Sequence, residues 1–305
     1  MVQEQRNHLP RLGTRKLYHQ IKPGLEQAGI RAGRDVLFNW LREENLLIRH
    51  NRRYVVTTNS KHWMRKYPNL AKDLKITSPE QLWVSDITYV DTEEGWMYLS
   101  LITDAWSRKV VGYSIDDNME AATVALALIM ALESKTPWSN PMHHSDRGLQ
   151  YCSTLYTSIC KENGLAISMT ENGDPYENAL AERMNRTFKE ELGLGGKLHS
   201  KNAAKQVAKE SIGLYNSRRP HLALCMKTPA EIHRLGINFT KPPEAETGTA
   251  GEQPVRITMV NGNGWEPDDK SGSTIQNETI FVAMPKKTHT RRKTKIPAPE
   301  ATGTS

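Results

Sequence analysis

Cysteine is scarce in this chain: Cys152, Cys160 and Cys225 are the three in 305 residues, and no two of them form a C-x-x-C pair. That excludes a disulfide framework and predicts a reducing, cytosolic setting. Long apolar runs are also missing. The most apolar stretch, residues 121–132, is short and Ala-rich, well under the roughly 18 residues a membrane span needs. The opening residues MVQEQRNHLPRLG lack an apolar core, so no secretory signal is expected. Aromatic residues make up only 7% of the chain, with no cluster legible as a base-stacking surface, which weakens an RNA-binding reading. Mean hydropathy is −0.62, yet 37% of residues are apolar, enough to build a core.

Charge is abundant and unevenly spread. The total is +7. Residues 1–78 hold 16 basic and 6 acidic side chains, whereas residues 79–240 hold 16 basic and 20 acidic. The last 65 residues carry nine basic side chains, six of them between Lys286 and Lys295. A basic head and a basic tail cluster around an acidic middle predict nucleic-acid-binding flanks, because Lys and Arg draw in phosphate backbones by counterion release.

Thr14 to Ala28 and Gly33 to Asn45 read as two short amphipathic helices broken at Gly29 and Gly33, consistent with a helix-turn-helix-like module over residues 1–65. Arg34 and Arg42 on the second helix are its candidate DNA contacts. Residues 66–79, with Pro68 and Pro79, read as a linker. From Gln81 the period changes to that of strands: Gln81–Val90, Trp96–Asp104 and Lys109–Ile115 form an expected antiparallel meander. Helices over Met119–Glu133, Ser153–Glu162, Pro175–Leu192 and Lys201–Tyr215 alternate with short strands ending at Ser145 and Met169. This is an α/β domain with a mixed sheet, spanning residues 80–240. Residues 241–305, rich in Pro, Gly and Thr, read as a mostly disordered tail in which only Thr279–Met284 looks strand-like.

Three acidic residues occupy unusual places. Asp86 interrupts a strand, Asp146 follows one, and Glu182 lies in a helix among small and apolar residues. Carboxylates that converge repel one another unless a cation sits between them. Hard oxygen ligands suit Mg²⁺ or Mn²⁺, and two such ions can activate an attacking hydroxyl and stabilise the leaving oxygen of a phosphodiester. Trp83, Trp96 and Trp106 read as core. Ser107 and Ser145 show no adjacent His–Asp pattern that would make a nucleophile.

Thirty-five residues separate Asp146 from Glu182, and 59 separate Asp86 from Asp146. With the words WVSDITY, LSLITDAWSRKVVG, HSDRGLQY, YENALAE and YNSRRPH followed by TP, the chain from about His8 to Asn238 resembles the second reading frame (OrfB) of the IS-three family of bacterial insertion sequences. The resemblance implies a retroviral-integrase-like D,D-35-E core on the ribonuclease-H-like fold, its mixed sheet carrying helices on both faces behind a small helical domain. It implies Asp86, Asp146 and Glu182 as catalytic residues and ligands of two Mg²⁺ (or Mn²⁺) ions. Arg186 and Lys189, on the Glu182 face of their helix, and Asn178, one turn earlier, are the DNA contacts it suggests. The implied reaction is cleavage at the ends of the element, followed by attack of the freed 3′-OH on a second phosphodiester. The implied partners are double-stranded DNA at the element's ends and target, further copies of the chain on that DNA, and an upstream-frame OrfA partner or fusion. The implied location is the cytoplasm, at the nucleoid. A plain nuclease of the same fold and a non-catalytic DNA-binding remnant acting as a repressor are the competing readings.

Overall fold

The computed structural model describes residues 1–48, 63–171 and 175–240, and the backbone of two short tail strands. Three helices form the head: α1 (Val2–His8), α2 (Thr14–Gln27) and α3 (Arg34–Glu43). Gly29, at φ +72°, makes the turn after α2 that the sequence predicts. Leu17, Ile21 and Leu25 on α2 and Leu37 and Leu41 on α3 recur at helical spacing and are buried. α1 had no sequence signal: none of its own residues is buried, and its place is held by Leu9 and Leu12 just after it.

The core contains β1 (Leu82–Thr92), β2 (Gly95–Asp104), β3 (Val110–Asp116), α4 (Ala121–Ser134), β4 (Met142–Ser145), α5 (Leu149–Cys152), α6 (Thr154–Glu162) and β5 (Ile167–Met169). A 3-10 turn at Pro175–Asn178 leads into α7 (Ala179–Glu191), then come α8 (Lys201–Ser217) and α9 (Pro229–Thr240). The five strands lie in the order β3-β2-β1-β4-β5. The first three are antiparallel, as the short turns between them require, and β1–β4 and β4–β5 are parallel. That mixed sheet, with α4 packed on one face and α7 and α8 on the other, is the ribonuclease-H-like arrangement.

Two apolar layers sandwich the sheet. Trp83, Ile102, Val111, Leu128 and Tyr156 form one of them. In the other, Val90, Leu99, Leu101, Phe188 and Tyr215 are continuous with the buried leucines of the head. Residues 66–79 lie along the sheet instead of crossing open solvent: the Leu70 N–H donates to Ser168 Oγ at 2.9 Å and Ile76 packs beside Trp106. α9 escaped the sequence reading because its buried side, Ile232 and His233, includes a polar residue. The tail strands β6 (Met259–Asn261) and β7 (Val282–Met284) pair in parallel, and the basic cluster at 286–295 lies outside the described residues. No helix among the described residues is long and apolar enough to cross a membrane.

Candidate active site

The site forms where the sheet divides. β4 pairs with β1 only from Leu82 to Val84 and stops at Ser145. Beyond Val84 that side of β1 has no strand partner, so Asp86 lies at the opening and Asp146 is the first residue past the end of β4. Both line one cavity of about 130 Å³. α7 crosses the same opening with Glu182 in its first turn, where a negative side chain suits the positive end of the helix.

The electrostatics follow from this crowding. Burial, then the Asp146 carboxylate and more weakly Glu182, push the Asp86 carboxyl up to about 7. Hydrogen bonds from the Ile87 N–H at 2.8 Å and the Asn185 amide at 2.8 Å pull the other way. The Gly148 N–H donates to Asp146 Oδ1 at 3.0 Å. Partial burial raises the Glu182 carboxyl and Arg186 opposes it. Burial lowers the Lys189 ammonium while Asp86 holds it up. Glu182, Arg186 and Lys189 thus share one helix face, as their spacing predicts, and that face looks toward Asp86. Among the described residues, no three His, Cys, Asp or Glu side chains stand close enough together to enclose a metal ion.

The remaining candidates divide. Asn178 is 6% exposed, and its side-chain amide donates to the Ser85 carbonyl at 3.1 Å, so it ties α7 to β1 from within. Arg34 and Arg42 lie on the exposed face of α3, away from the carboxylates; Arg34 pairs with Asp35 at 2.9 Å and Arg42 lies 4.8 Å from the Phe38 ring centroid. His143 is buried and accepts from the Tyr156 hydroxyl at 2.9 Å or donates to it. His144 bridges Ser168 Oγ (2.8 Å) and the Glu177 carbonyl (3.0 Å). Because the Glu177 carbonyl can only accept, Nε2 carries the hydrogen, and Nδ1 of the neutral ring accepts from the Ser168 hydroxyl. The second histidine thereby anchors the turn that enters α7.

Sequence reading missed Asn185, although its position three residues after Glu182 carried the signal. It also misplaced Trp96, which is 52% exposed because the end of the β1–β2 hairpin extends past the cover of α4. Ser107 does have histidine and carboxylate neighbours. His233 Nδ1 lies 2.9 Å from its Oγ, which itself donates to Asp104 Oδ1 at 2.7 Å. A sequence separation of 126 residues hid the contact. With Ser107 and Asp104 fully buried, the cluster fastens α9 to the sheet and offers no substrate-facing nucleophile.

Comparison with known proteins follows the same lines. Two integrase core domain models match residues 76–175 and 163–229. The insertion element IS600 uncharacterized 31 kDa protein of Shigella sonnei is 38% identical over 220 residues, covering 72% of this chain and 79% of its own. The transposase for insertion sequence element IS629, also of Shigella sonnei, is 33% identical over 239 residues, covering 77% and 73%. Transposase InsF for IS3fB of Escherichia coli K12 is 39% identical over 153 residues, covering 50% and 53%. Among solved structures, the HTLV-2 integrase catalytic core domain in complex with magnesium is 17% identical with a TM-score of 0.41, covering 51% of this chain and 97% of that one. The integrase core matches and the transposase relatives define a polynucleotidyl transferase with an integrase core. The chain belongs to the IS3-family insertion-sequence transposases and is a DDE transposase acting in transposition.

Proposed function

We propose that Asp86, Asp146 and Glu182 are the catalytic carboxylates of this transposase and the ligands of its two divalent cations, Mg²⁺ or Mn²⁺. The observation that supports this is electrostatic and local: Asp86 and Asp146 line one cavity, and Asp86 registers the charge of Asp146 and, more weakly, of Glu182 in the first turn of α7. The donor set fits. These are hard oxygen ligands without thiolate or imidazole, and a dication would offset both the burial and the Asp146 repulsion that push the Asp86 carboxyl up to about 7. When bound, such ions supply charge neutralisation at the phosphodiester and a more acidic attacking hydroxyl.

The chain's own groups prepare that chemistry. Asn185 and the Ile87 N–H hold Asp86 in one rotamer, and Gly148 does the same for Asp146. Lys189 and Arg186, on the face of α7 turned to Asp86, receive the backbone phosphates of the element's end. In the first step the oxygen of water forms a bond to phosphorus, and the 3′-oxygen leaves as a 3′-OH. In the second, that 3′-OH attacks a target phosphodiester and one P–O bond forms as another breaks, so no protein nucleophile is needed. The head grips double-stranded DNA through Arg34 and Arg42 on α3. Residues 1–65 serve as the DNA-binding unit, 66–79 as the connector and 80–240 as the catalytic unit. The working assembly has several copies on DNA, joined by the upstream-frame product.

The test is cleavage and strand transfer on a plasmid bearing the element's two ends. Asp86→Asn, Asp146→Asn and Glu182→Gln should each abolish both steps while DNA affinity persists. Cleavage at the wild-type rate by any of the three would overturn its assignment. Cleavage by the wild type without joined products would favour the nuclease reading.

A further inference from the structure

The end of the β1–β2 hairpin carries three aromatic rings that neither the core nor the carboxylate chemistry requires. Tyr89 and Tyr98 are directly opposite each other across the antiparallel pair, with ring centroids 5.2 Å apart. Trp96, two residues before Tyr98 and so on the same face, meets Tyr89 edge-on at 5.8 Å. This is the face that α4 covers near Ile102, but at Trp96 it is bare and half of the indole is exposed. A half-exposed tryptophan braced by Tyr89, which in turn meets Tyr98, is an unusual surface to leave open on a strand pair.

Its position gives it a use. Tyr89 and Tyr98 line the same cavity as Asp86 and Asp146, together with Met119 and Leu149. The described residues lining that cavity include no lysine or arginine. Nearby, Asp117 is paired with Lys201 at 2.9 Å and Asp116 with Lys205 at 4.0 Å. The surface therefore offers ring faces and polar groups without a phosphate grip. A neutral, flat group fits it, and the nearest such group to a phosphodiester at Asp86 and Asp146 is the base attached to the adjoining sugar.

We propose that Tyr89, Trp96 and Tyr98 form a stacking platform for one unpaired nucleobase beside the phosphodiester under attack. The proposal rests on the assignment of Asp86 and Asp146 above. Taking a base out of the duplex opens the backbone on either side to an in-line nucleophile, at the expense of lost stacking. Aromatic side chains replace that stacking with little regard to base identity. Rings already braced against one another lose little freedom on binding.

The experiment uses the full chain with Mg²⁺ and two DNAs: a blunt duplex, and the same duplex with a three-nucleotide single-stranded end carrying 2-aminopurine. Binding should quench the 2-aminopurine fluorescence. Trp96→Ala and Tyr98→Ala should each weaken affinity for the single-stranded end about tenfold and leave the blunt duplex unchanged. Tyr98→Phe, which keeps the ring, should bind as wild type. Trp96 is half-exposed, so Trp96→Ala should melt like the wild type and remains informative if Tyr98→Ala misfolds. Unchanged affinity of Trp96→Ala for the single-stranded end, or an equal loss on both DNAs, would overturn the platform. So would burial of Trp96 that depends on protein concentration without DNA, which would assign the patch to a second copy. Asp86→Asn should quench like the wild type. If it still cleaved DNA, the carboxylate assignment would fail, and the fluorescence result would be read separately from it.

Discussion

Asn185 donates its side-chain amide to Asp86 Oδ2 at 2.8 Å, from the same helix that carries Glu182 three residues earlier. One buried amide thus joins the central strand to α7 at the point where the carboxylates meet. Asn185→Ala removes the only donor that α7 offers Asp86 among the described hydrogen bonds. Cleavage should fall by about ten- to a hundredfold, since small misplacements of a catalytic group cost that much. Asn185→Asp adds a like charge in place of a donor, so it should be slower still at low Mg²⁺ and recover as Mg²⁺ is raised. Initial rates across a Mg²⁺ titration check both, and a Mg²⁺-independent defect in Asn185→Asp would refute the electrostatic account.

A second junction ties the head to the core. Glu191, the last residue of α7, accepts from Arg219 Nε at 2.9 Å and Nη2 at 2.8 Å, and from Lys16 of α2 at 3.2 Å. Burial and the neighbouring Arg219 hold the Lys16 ammonium down at about 8, and Glu191 opposes them. Glu191→Ala leaves the buried Arg219 and Lys16 facing each other and should cost about 3–5 kcal/mol. Lys16→Ala, which keeps the bidentate Arg219 pair, should cost about 1 kcal/mol or less. Urea unfolding of the two variants gives the comparison. A larger loss for Lys16→Ala would mean that the head, and not the Arg219 pair, is the main beneficiary.

Gly112 on β3 has no room for a side chain. A Cβ there would overlap the Ala127 carbonyl oxygen and lie 2.9 Å from Ala131 Cβ on α4. Gly112→Ala should therefore destabilise the protein by about 1–3 kcal/mol through overpacking, although alanine suits a strand better than glycine. A thermal melt no lower than wild type would show that α4 shifts freely on the sheet.

Burial drives both His143 and His221 down to about 3 from the usual 6.5. A folded-state value below the unfolded one means that, under pH 6.5, the unfolded chain takes up protons the folded chain refuses. The stability these groups contribute is complete above about pH 6.5 and is lost as pH falls toward 3. Each adds a slope of about 1.4 kcal/mol per pH unit within that window. His143→Gln should flatten the melting temperature profile between pH 6 and 4, and an unchanged slope would show that other groups dominate acid unfolding.

The linear chain on its own marked Asp86, Asp146 and Glu182 as candidates and outlined the meander and the Glu182 helix face. Asp86 and Asp146 stand out at a strand and a strand end, and Glu182, Arg186 and Lys189 follow the helical repeat; their joint spacing and the family words around them, not periodicity alone, singled them out. The split of charge into a basic head and an acidic middle was equally legible, because counting needs no contacts. Tertiary structure alone decided which groups serve those acids. Asn185 reaches Asp86 across 99 residues, Ser107 reaches His233 across 126, and Lys16 reaches Glu191 across 175. Trp96 was misplaced for the same reason: its strand pattern shows an apolar position, but only the length of α4 determines where the sheet's cover ends. Periodicity reports which side of an element a residue occupies, whereas the partner on that side is set by how distant elements pack.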